Sequence, residues 1–211
     1  MVTHHKSKPI NLPKICAVTL PDDPNLLINI EIALRNGIKW IQYRAKNKSR
    51  KLLFQEALQV KILSEKFNAL LTINDYVDVA IIIGATSIHL GQQDLPCKSV
   101  KSIANNMIIG ISTHNIEEAK EAQENGADYI GFGSVFITST KEVGTPKGIE
   151  ALKDVLRTIN IPVVAIGGIN IINIRELLDN DGMPFSLAMS SGIFKGDIAK
   201  NCQRLVEIGL L

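Results

Sequence analysis

The chain has 211 residues, 45% of them hydrophobic and 21% charged, with a formal net charge of +2, the balance of an ordinary globular protein able to bury one sizeable core. With so small a net charge and no basic tract interleaved with aromatics, neither nucleic acid nor a membrane surface is expected as a partner, and any phosphate binding has to be local. The opening MVTHHKSKPINLPK lacks the apolar stretch of a signal peptide, and runs such as VAIIIGA at 79–85 are too short to span a bilayer, so a cytoplasmic protein is expected. Cys16, Cys97 and Cys202 are widely spaced and form no Cys-x-x-Cys or Cys/His pattern, which points to buried thiols and away from a disulfide framework or a zinc site.

After a polar N-terminal extension at 1–13, apolar β-rich runs are predicted as strands at 14–19, 38–44, 69–74, 86–91, 107–112, 128–133, 162–168 and 185–191. Helical spacing intervenes, for example at 26–37, 50–68, 115–126 and 172–182, and several of these stretches stop at Asn-Gly or Asp-Gly, as helix C-termini do. Near-continuous Val/Ile/Leu strands alternating with helices imply a parallel sheet covered on both faces. Eight such units in just over 200 residues favour a compact α/β (β/α)₈ TIM barrel over an open doubly wound sheet, as a single domain spanning 1–211.

In such a barrel the chemistry lies at the C-terminal ends of the strands. The second strand ends WIQYRAK, and the period of two puts Gln42, Arg44 and Lys46 on one face, where cations call for an anionic partner. The third ends TINDYVD and the fourth IHLGQQD; Asn74, Asp75 and Asp94 each suit a turn, but two carboxylates on neighbouring strands beside cations also suit Mg²⁺ held with substrate phosphate oxygens. The fifth ends GISTHN, from which Ser112 is expected to bind ligand and His114 is given no role. After the sixth, Gly131 and Gly133 leave space and Thr138, Ser139, Thr140 and Lys141 offer hydroxyls and a cation to cover an anion. Gly167, Gly168, Ser190, Ser191 and Gly192, after the seventh and eighth strands, fit a phosphate site built from backbone N–H groups. Two anionic subsites, only one with carboxylates, point to a phosphate monoester and a diphosphate as substrates of a group transfer.

The motifs IQYRAK, INDYVDVA, IHLGQQD, GIST, DYIGFGSVFITSTK and VVAIGGIN together resemble the thiamine-phosphate synthase family, in order and approximate spacing, over nearly the whole chain. The resemblance implies a transferase that joins 4-amino-2-methyl-5-(diphosphooxymethyl)pyrimidine to a thiazole phosphate, giving thiamine phosphate and diphosphate with Mg²⁺ as cofactor. It implies that the run Gln42, Tyr43, Arg44, Ala45 and Lys46, with Asn74, Ser112 and Lys141, holds the pyrimidine diphosphate, that Asp75 and Asp94 bind the metal, and that Thr138, Ser139, Thr140, Gly168, Ser190 and Ser191 hold the thiazole phosphate. Arg44, Lys46, Lys141 and Ser112 are the residues it makes catalytic, and it implies a homodimer. Ile137 replaces the family's usual proline, so a less rigid covering loop is expected; Ala45 stands where an acid is usual, and strand one ends VTLPDD instead of Val-Thr-Asp. A thiazole tautomerase-like enzyme and a non-catalytic phosphate-ligand barrel are the alternatives.

Overall fold

Eight runs of four to six mostly apolar residues form the strands of the computed structural model, which describes residues 10–138, 145–178 and 186–211. They are β1 (Ile15–Val18), β2 (Trp40–Tyr43), β3 (Leu70–Asn74), β4 (Ser87–Leu90), β5 (Ile108–Thr113), β6 (Tyr129–Gly133), β7 (Val163–Ile166) and β8 (Ser186–Met189). Each pairs in parallel with the next, and β8 returns to β1 through Ile15 opposite Leu187, so the sheet closes into a barrel in chain order. Closure removes every open sheet edge, and all eight predicted strands are present within a residue or two of their expected bounds.

The helices are α1 (Leu26–Arg35), α2 (Arg50–Lys66), α3 (Val77–Ile83), α4 (Cys97–Ile103), α5 (Ile116–Glu124), α6 (Gly148–Thr158), α7 (Arg175–Leu178), α8 (Ser191–Phe194) and α9 (Ile198–Glu207). Ser49, Asn115 and Asp197 cap α2, α5 and α9 by accepting the backbone N–H groups of Leu52, Glu118 and Lys200, which satisfies donors the first helical turn leaves unpaired. Predicted helices α1 and α5 end at Asn36 and Asn125, each followed by glycine.

Alternation along the strands sorts side chains into two cores. Outward residues such as Ile41, Tyr43, Ile73, Ile88 and Ile130 pack under the helices. Inward residues Cys16, Val18, Trp40, Tyr129, Val164 and Ala188 fill the barrel, with Leu70, Ile108 and Ile166 packed against them. Leu12, from the polar extension, also packs against this inner cluster, so the end of that extension closes the barrel floor. The three cysteines are buried and free. Among the described residues no helix is long and apolar enough to cross a membrane.

Candidate active site

At the mouth of the barrel the ends of β2, β3 and β4 form a polar chain. Gln42, buried, donates from Nε2 to Asn74 Oδ1 at 2.8 Å and faces the Cys16 thiol through Oε1. Asn74 in turn hydrogen bonds to the Asp75 carboxylate, which stands within hydrogen-bonding reach of Asp94. Burial first, then the neighbouring Asp94 charge, pushes the Asp75 carboxyl up from 3.8 to about 6, against the smaller lowering influences of Arg44 and Asn74. Asp75 adopts φ 67°, a left-handed conformation that Asp tolerates better than most residues and that recurs at functional sites. Asp94 Oδ2 accepts the Gly91 N–H at 2.6 Å, so the turn role and the carboxylate pair expected of Asp94 coexist.

This donor set fits a hard divalent cation. Two close carboxylates, one resisting ionisation because it is buried and its neighbour is charged, are relieved when a cation lies between them. Among the described residues no group of three His, Cys, Asp or Glu side chains is arranged to hold a metal, and Mg²⁺ commonly takes one or two carboxylates with water and substrate phosphate completing its shell. A pH dependence follows. A carboxyl raised in the folded state contributes stability that is fully present below pH 3.8 and is lost as the pH rises through about 6. Mg²⁺ is therefore expected to raise the melting temperature more at pH 7.5 than at pH 5, and a thermal-shift titration at both values checks it; equal shifts would contradict the carboxylate pairing.

Beside this cluster a cavity of about 130 Å³ opens between the ends of β1, β2 and β5 through β8. Arg44 after β2 and Ser112 and His114 at the end of β5 line it together with Thr138, Gly168, Ser190 and Ser191 from beyond β6, β7 and β8. Val18, Ile166, Ile169 and Ala188 supply apolar wall. The glycines on the β7 side are there because backbone passes over them. Val135 N donates to Ile166 O and Phe136 N to Gly167 O, both at 2.9 Å. A Cβ on Gly167 would lie 2.3 Å from Ser134 Cβ, and one on Gly168 2.3 Å from Ile137 O, with φ +102° and +69° forbidding an ordinary side chain besides. Ser134 and Ser190 carry buried hydroxyls with no partner among the described residues. Buried hydroxyls cost free energy when unpaired, and both residues line a cavity that a ligand can fill.

Comparison with known proteins shows the family. The thiamine monophosphate synthase family matches residues 15–192. The chain is 44% identical over 181 residues to a thiamine-phosphate synthase of Persephonella marina, covering 85% of this chain and 86% of that one. It is 42% identical over 180 residues to that of Ruminiclostridium cellulolyticum, covering 85% of each. The chain belongs to the thiamine monophosphate synthase family. A solved thiamine phosphate pyrophosphorylase from Pyrococcus furiosus superposes with a TM-score of 0.82 at 36% identity, covering 92% of this chain and 94% of that one. An N-acetylmannosamine-6-phosphate 2-epimerase from Clostridium perfringens, at 16% identity and a TM-score of 0.64, shares the fold.

Within this synthase-family barrel, Gln42, Arg44, Asn74, Asp75 and Asp94 gather at the ends of β2 to β4, and Ser112, Thr138, Gly168, Ser190 and Ser191 line the cavity with Arg44. Lys46 lies exposed just beyond β2. Ser139, Thr140 and Lys141 lie outside the described residues. Tyr43 and Ala45, expected to bind substrate as part of the Gln42–Lys46 run, do not turn their side chains to the mouth. Their parity along the strand sends them outward, where both are buried in the outer core. There the Tyr43 hydroxyl donates to Glu56 Oε2 at 2.6 Å, and Lys48 pairs with the same carboxylate at 2.7 Å. This trio ties the segment after Arg44 to α2.

Two residues are better placed than the sequence suggested. His114 lines the cavity, its Nδ1 2.9 Å from Glu118 Oε2, which also accepts the His114 backbone N–H at 2.8 Å. Thr19, fully buried, accepts the Arg44 N–H at 2.8 Å and donates to Arg44 O at 3.1 Å, so it grips the backbone of the cation that faces the cavity. Thr19→Val is expected to raise the KM for the pyrimidine diphosphate about five- to tenfold, the effect of losing roughly one kcal/mol of hydrogen bonding, and to leave that for the thiazole phosphate unchanged. Steady-state kinetics with each substrate varied in turn makes the test.

Proposed function

We propose that the barrel mouth binds the pyrimidine diphosphate at the ends of β2 to β5 and the thiazole phosphate at the ends of β6 to β8, and joins them. As a member of its family the chain is a transferase that forms thiamine phosphate. The observation that supports the two-subsite reading is a cavity lined both by Arg44 and Ser112, from the ends of β2 and β5, and by Gly168, Ser190 and Ser191, from the ends of β7 and β8. The Asp75–Asp94 pair beside Arg44 supports a diphosphate site, for which a thiazole tautomerase has no use.

Asp75 and Asp94 would hold Mg²⁺, which as a Lewis acid offsets the charge gathering on the departing diphosphate, a contribution of several kcal/mol. Arg44, held by Thr19, sets a further fixed positive charge beside the leaving group and strengthens as the C–O bond lengthens. The bonding electrons leave with diphosphate, and the amino-substituted pyrimidine ring delocalises the positive charge left on its methylene. The Gln42–Asn74 pair presents a fixed array of amide donors and acceptors toward the aminopyrimidine. Gly168, Ser190 and Ser191 anchor the thiazole phosphate so that the ring nitrogen faces the methylene, and its lone pair forms the new C–N bond. Such alignment is worth about 7–11 kcal/mol when the bound geometry approaches that of attack. No protein nucleophile takes part. The substrates are small molecules, and three free cysteines suit the reducing cytoplasm.

Kinetics separate the subsites. Arg44→Ala is expected to raise the KM for the pyrimidine diphosphate and lower kcat, whereas Ser190→Ala raises the KM for the thiazole phosphate alone. The reverse pattern, or equal effects on both substrates, would overturn the two-subsite assignment.

A further inference from the structure

We propose that Glu56, on α2 and outside the barrel mouth, is a positioning residue for capture of the pyrimidine diphosphate: it clamps both ends of the loop after β2, so that Arg44 and Lys46 are held toward the substrate. The inference rests on the reading of Arg44 as a diphosphate contact.

The clamp brackets the two cations in sequence. The Tyr43 hydroxyl donates to Glu56 Oε2 at 2.6 Å, and Lys48 Nζ donates to both carboxylate oxygens at 2.7 Å. Arg44 and Lys46 lie between these attachment points, and among the described residues neither side chain has a hydrogen bond or an ion pair. The side chains of Lys48 and Glu56 are only 13% and 24% exposed, whereas Lys46 is open to solvent. One cation of the loop is therefore neutralised as an anchor, and two are left for a ligand.

Helix spacing explains why a carboxylate stands there. Leu53, Ala57, Val60 and Ser64 form the buried face of α2, and Glu56 falls on the border of that stripe, three residues after Leu53 and four before Val60. A carboxylate partly withdrawn from water needs partners, and both of them come from the loop. Burial, and then the bond to Glu56, push the Tyr43 phenol well above its ordinary value, so it keeps the proton it donates.

Other contacts make the loop respond as one piece. Thr19 holds the Arg44 backbone N–H and C=O, and Ala45 is buried in the outer core. Asn47, at φ 57°, turns the chain between Lys46 and Lys48, and Ser49 caps α2. The first two residues past β2 thus have anchors of their own, while the stretch that carries Lys46 is closed at its far end by the Lys48–Glu56 pair and the Ser49 cap. The charge-assisted bonds at Glu56 are the strongest of these restraints.

Steady-state kinetics separates positioning from a merely structural tie. Glu56→Gln, which keeps the shape and loses the charge, is expected to raise the KM for the pyrimidine diphosphate about tenfold, the scale of one charge-assisted hydrogen bond. The inhibition constant of inorganic diphosphate should rise by the same factor, with the KM for the thiazole phosphate unmoved. Tyr43→Phe removes one arm and keeps the ring in the outer core, and should raise the same two constants about three- to fivefold. Lys48→Arg, which can still pair with Glu56, should stay within about twofold of the parent. In an Arg44→Ala/Lys46→Ala background Glu56→Gln should add little, because its effect passes through those two side chains. Glu56→Gln and Tyr43→Phe variants that melt lower but keep both constants overturn the proposal, as does a full effect of Glu56→Gln in the doubly substituted background. Arg44→Ala with an unchanged KM for the pyrimidine diphosphate overturns instead the contact on which the proposal rests; a raised KM there, with none in Glu56→Gln, shows that the contact is right and the clamp is not.

Discussion

Asp75→Asn is expected to lower Mg²⁺-dependent turnover at least about 10²-fold while leaving the metal-free protein as stable as its parent, or more stable, at pH 7.5. The activity loss follows from removing one of two carboxylates able to hold the cation that offsets leaving-group charge, a role on the scale of other fixed electrostatic contributions in active sites. The stability expectation has a separate origin. In the metal-free fold, burial and the charge of Asp94 hold the Asp75 carboxyl up at about 6, so at pH 7.5 the ionised carboxylate opposes folding, and the neutral amide does not. Asparagine is the informative replacement because it tolerates φ 67°, whereas alanine would add a backbone penalty unrelated to the metal. Asp94→Asn should lose activity similarly, since its amide oxygen can still accept the Gly91 N–H. Steady-state rates across a Mg²⁺ series, with melting curves in chelator, make the comparison; normal turnover in either variant contradicts the metal assignment.

Gly168→Ala is the second large effect. An alanine there carries a Cβ 2.3 Å from Ile137 O and 2.8 Å from Phe136 Cβ, and the left-handed backbone alone costs about 1–2 kcal/mol. The backbone that must yield is the segment that leads from β6 to Thr138, which lines the same cavity as Ser190 and Ser191. Displacement of about 1 Å at a positioning contact can cost on the order of 10²-fold. The expected result is a lower melting temperature and a fall in kcat/KM for the thiazole phosphate of about 10²-fold. A variant that melts lower but turns over normally would show that Gly168 serves the fold and not the subsite.

How much of this could be read in the sequence varied with the physics of each element. The strands were legible because a barrel buries both strand faces, which leaves continuous apolar runs such as IIGIS and PVVAI. The polar ends of β2, β3 and β4 were legible because a cation or carboxylate in register with an inner face is unusual enough to need a partner. Tyr43 and Ala45 were misplaced because a contiguous motif ignores the alternation that sends every second side chain outward; the period of two, applied to Gln42, Arg44 and Lys46, already excluded them from that face. His114 was passed over because a lone histidine after a strand is more often a surface residue, and nothing local in the chain announces that Glu118 will hold its ring at the cavity wall. Glu118 follows four residues later, the spacing of neighbours on a helix, and that is the signal that could have flagged the pair.

The hydrogen bonds inside the barrel, of Trp40 with Thr72, of Tyr129 with His89 and of His89 with Ser112, were illegible for a different reason. Their members come from β2, β3, β4, β5 and β6, and only barrel closure and register bring them together: Trp40 faces Leu70, Thr72 faces Ser87, and His89 faces Gly110. Of the two glycines that face Tyr129 and His89, Gly110 and Gly131, only Gly131 reads in the sequence as space for a ligand. Gly131 does border the cavity, but its missing side chain also makes room for a histidine from the neighbouring layer. Likewise Thr19 reads as a strand terminus, and its grip on both backbone groups of Arg44 depends on β1 lying beside β2.

The most direct measurement is to incubate the purified protein with the pyrimidine diphosphate, the thiazole phosphate and Mg²⁺, and to follow thiamine phosphate and diphosphate together, with and without a chelator. Stoichiometric appearance of both products, lost on chelation and restored by added Mg²⁺, is the predicted result. Binding of both substrates without product, or product formation that chelation leaves untouched, would contradict the account.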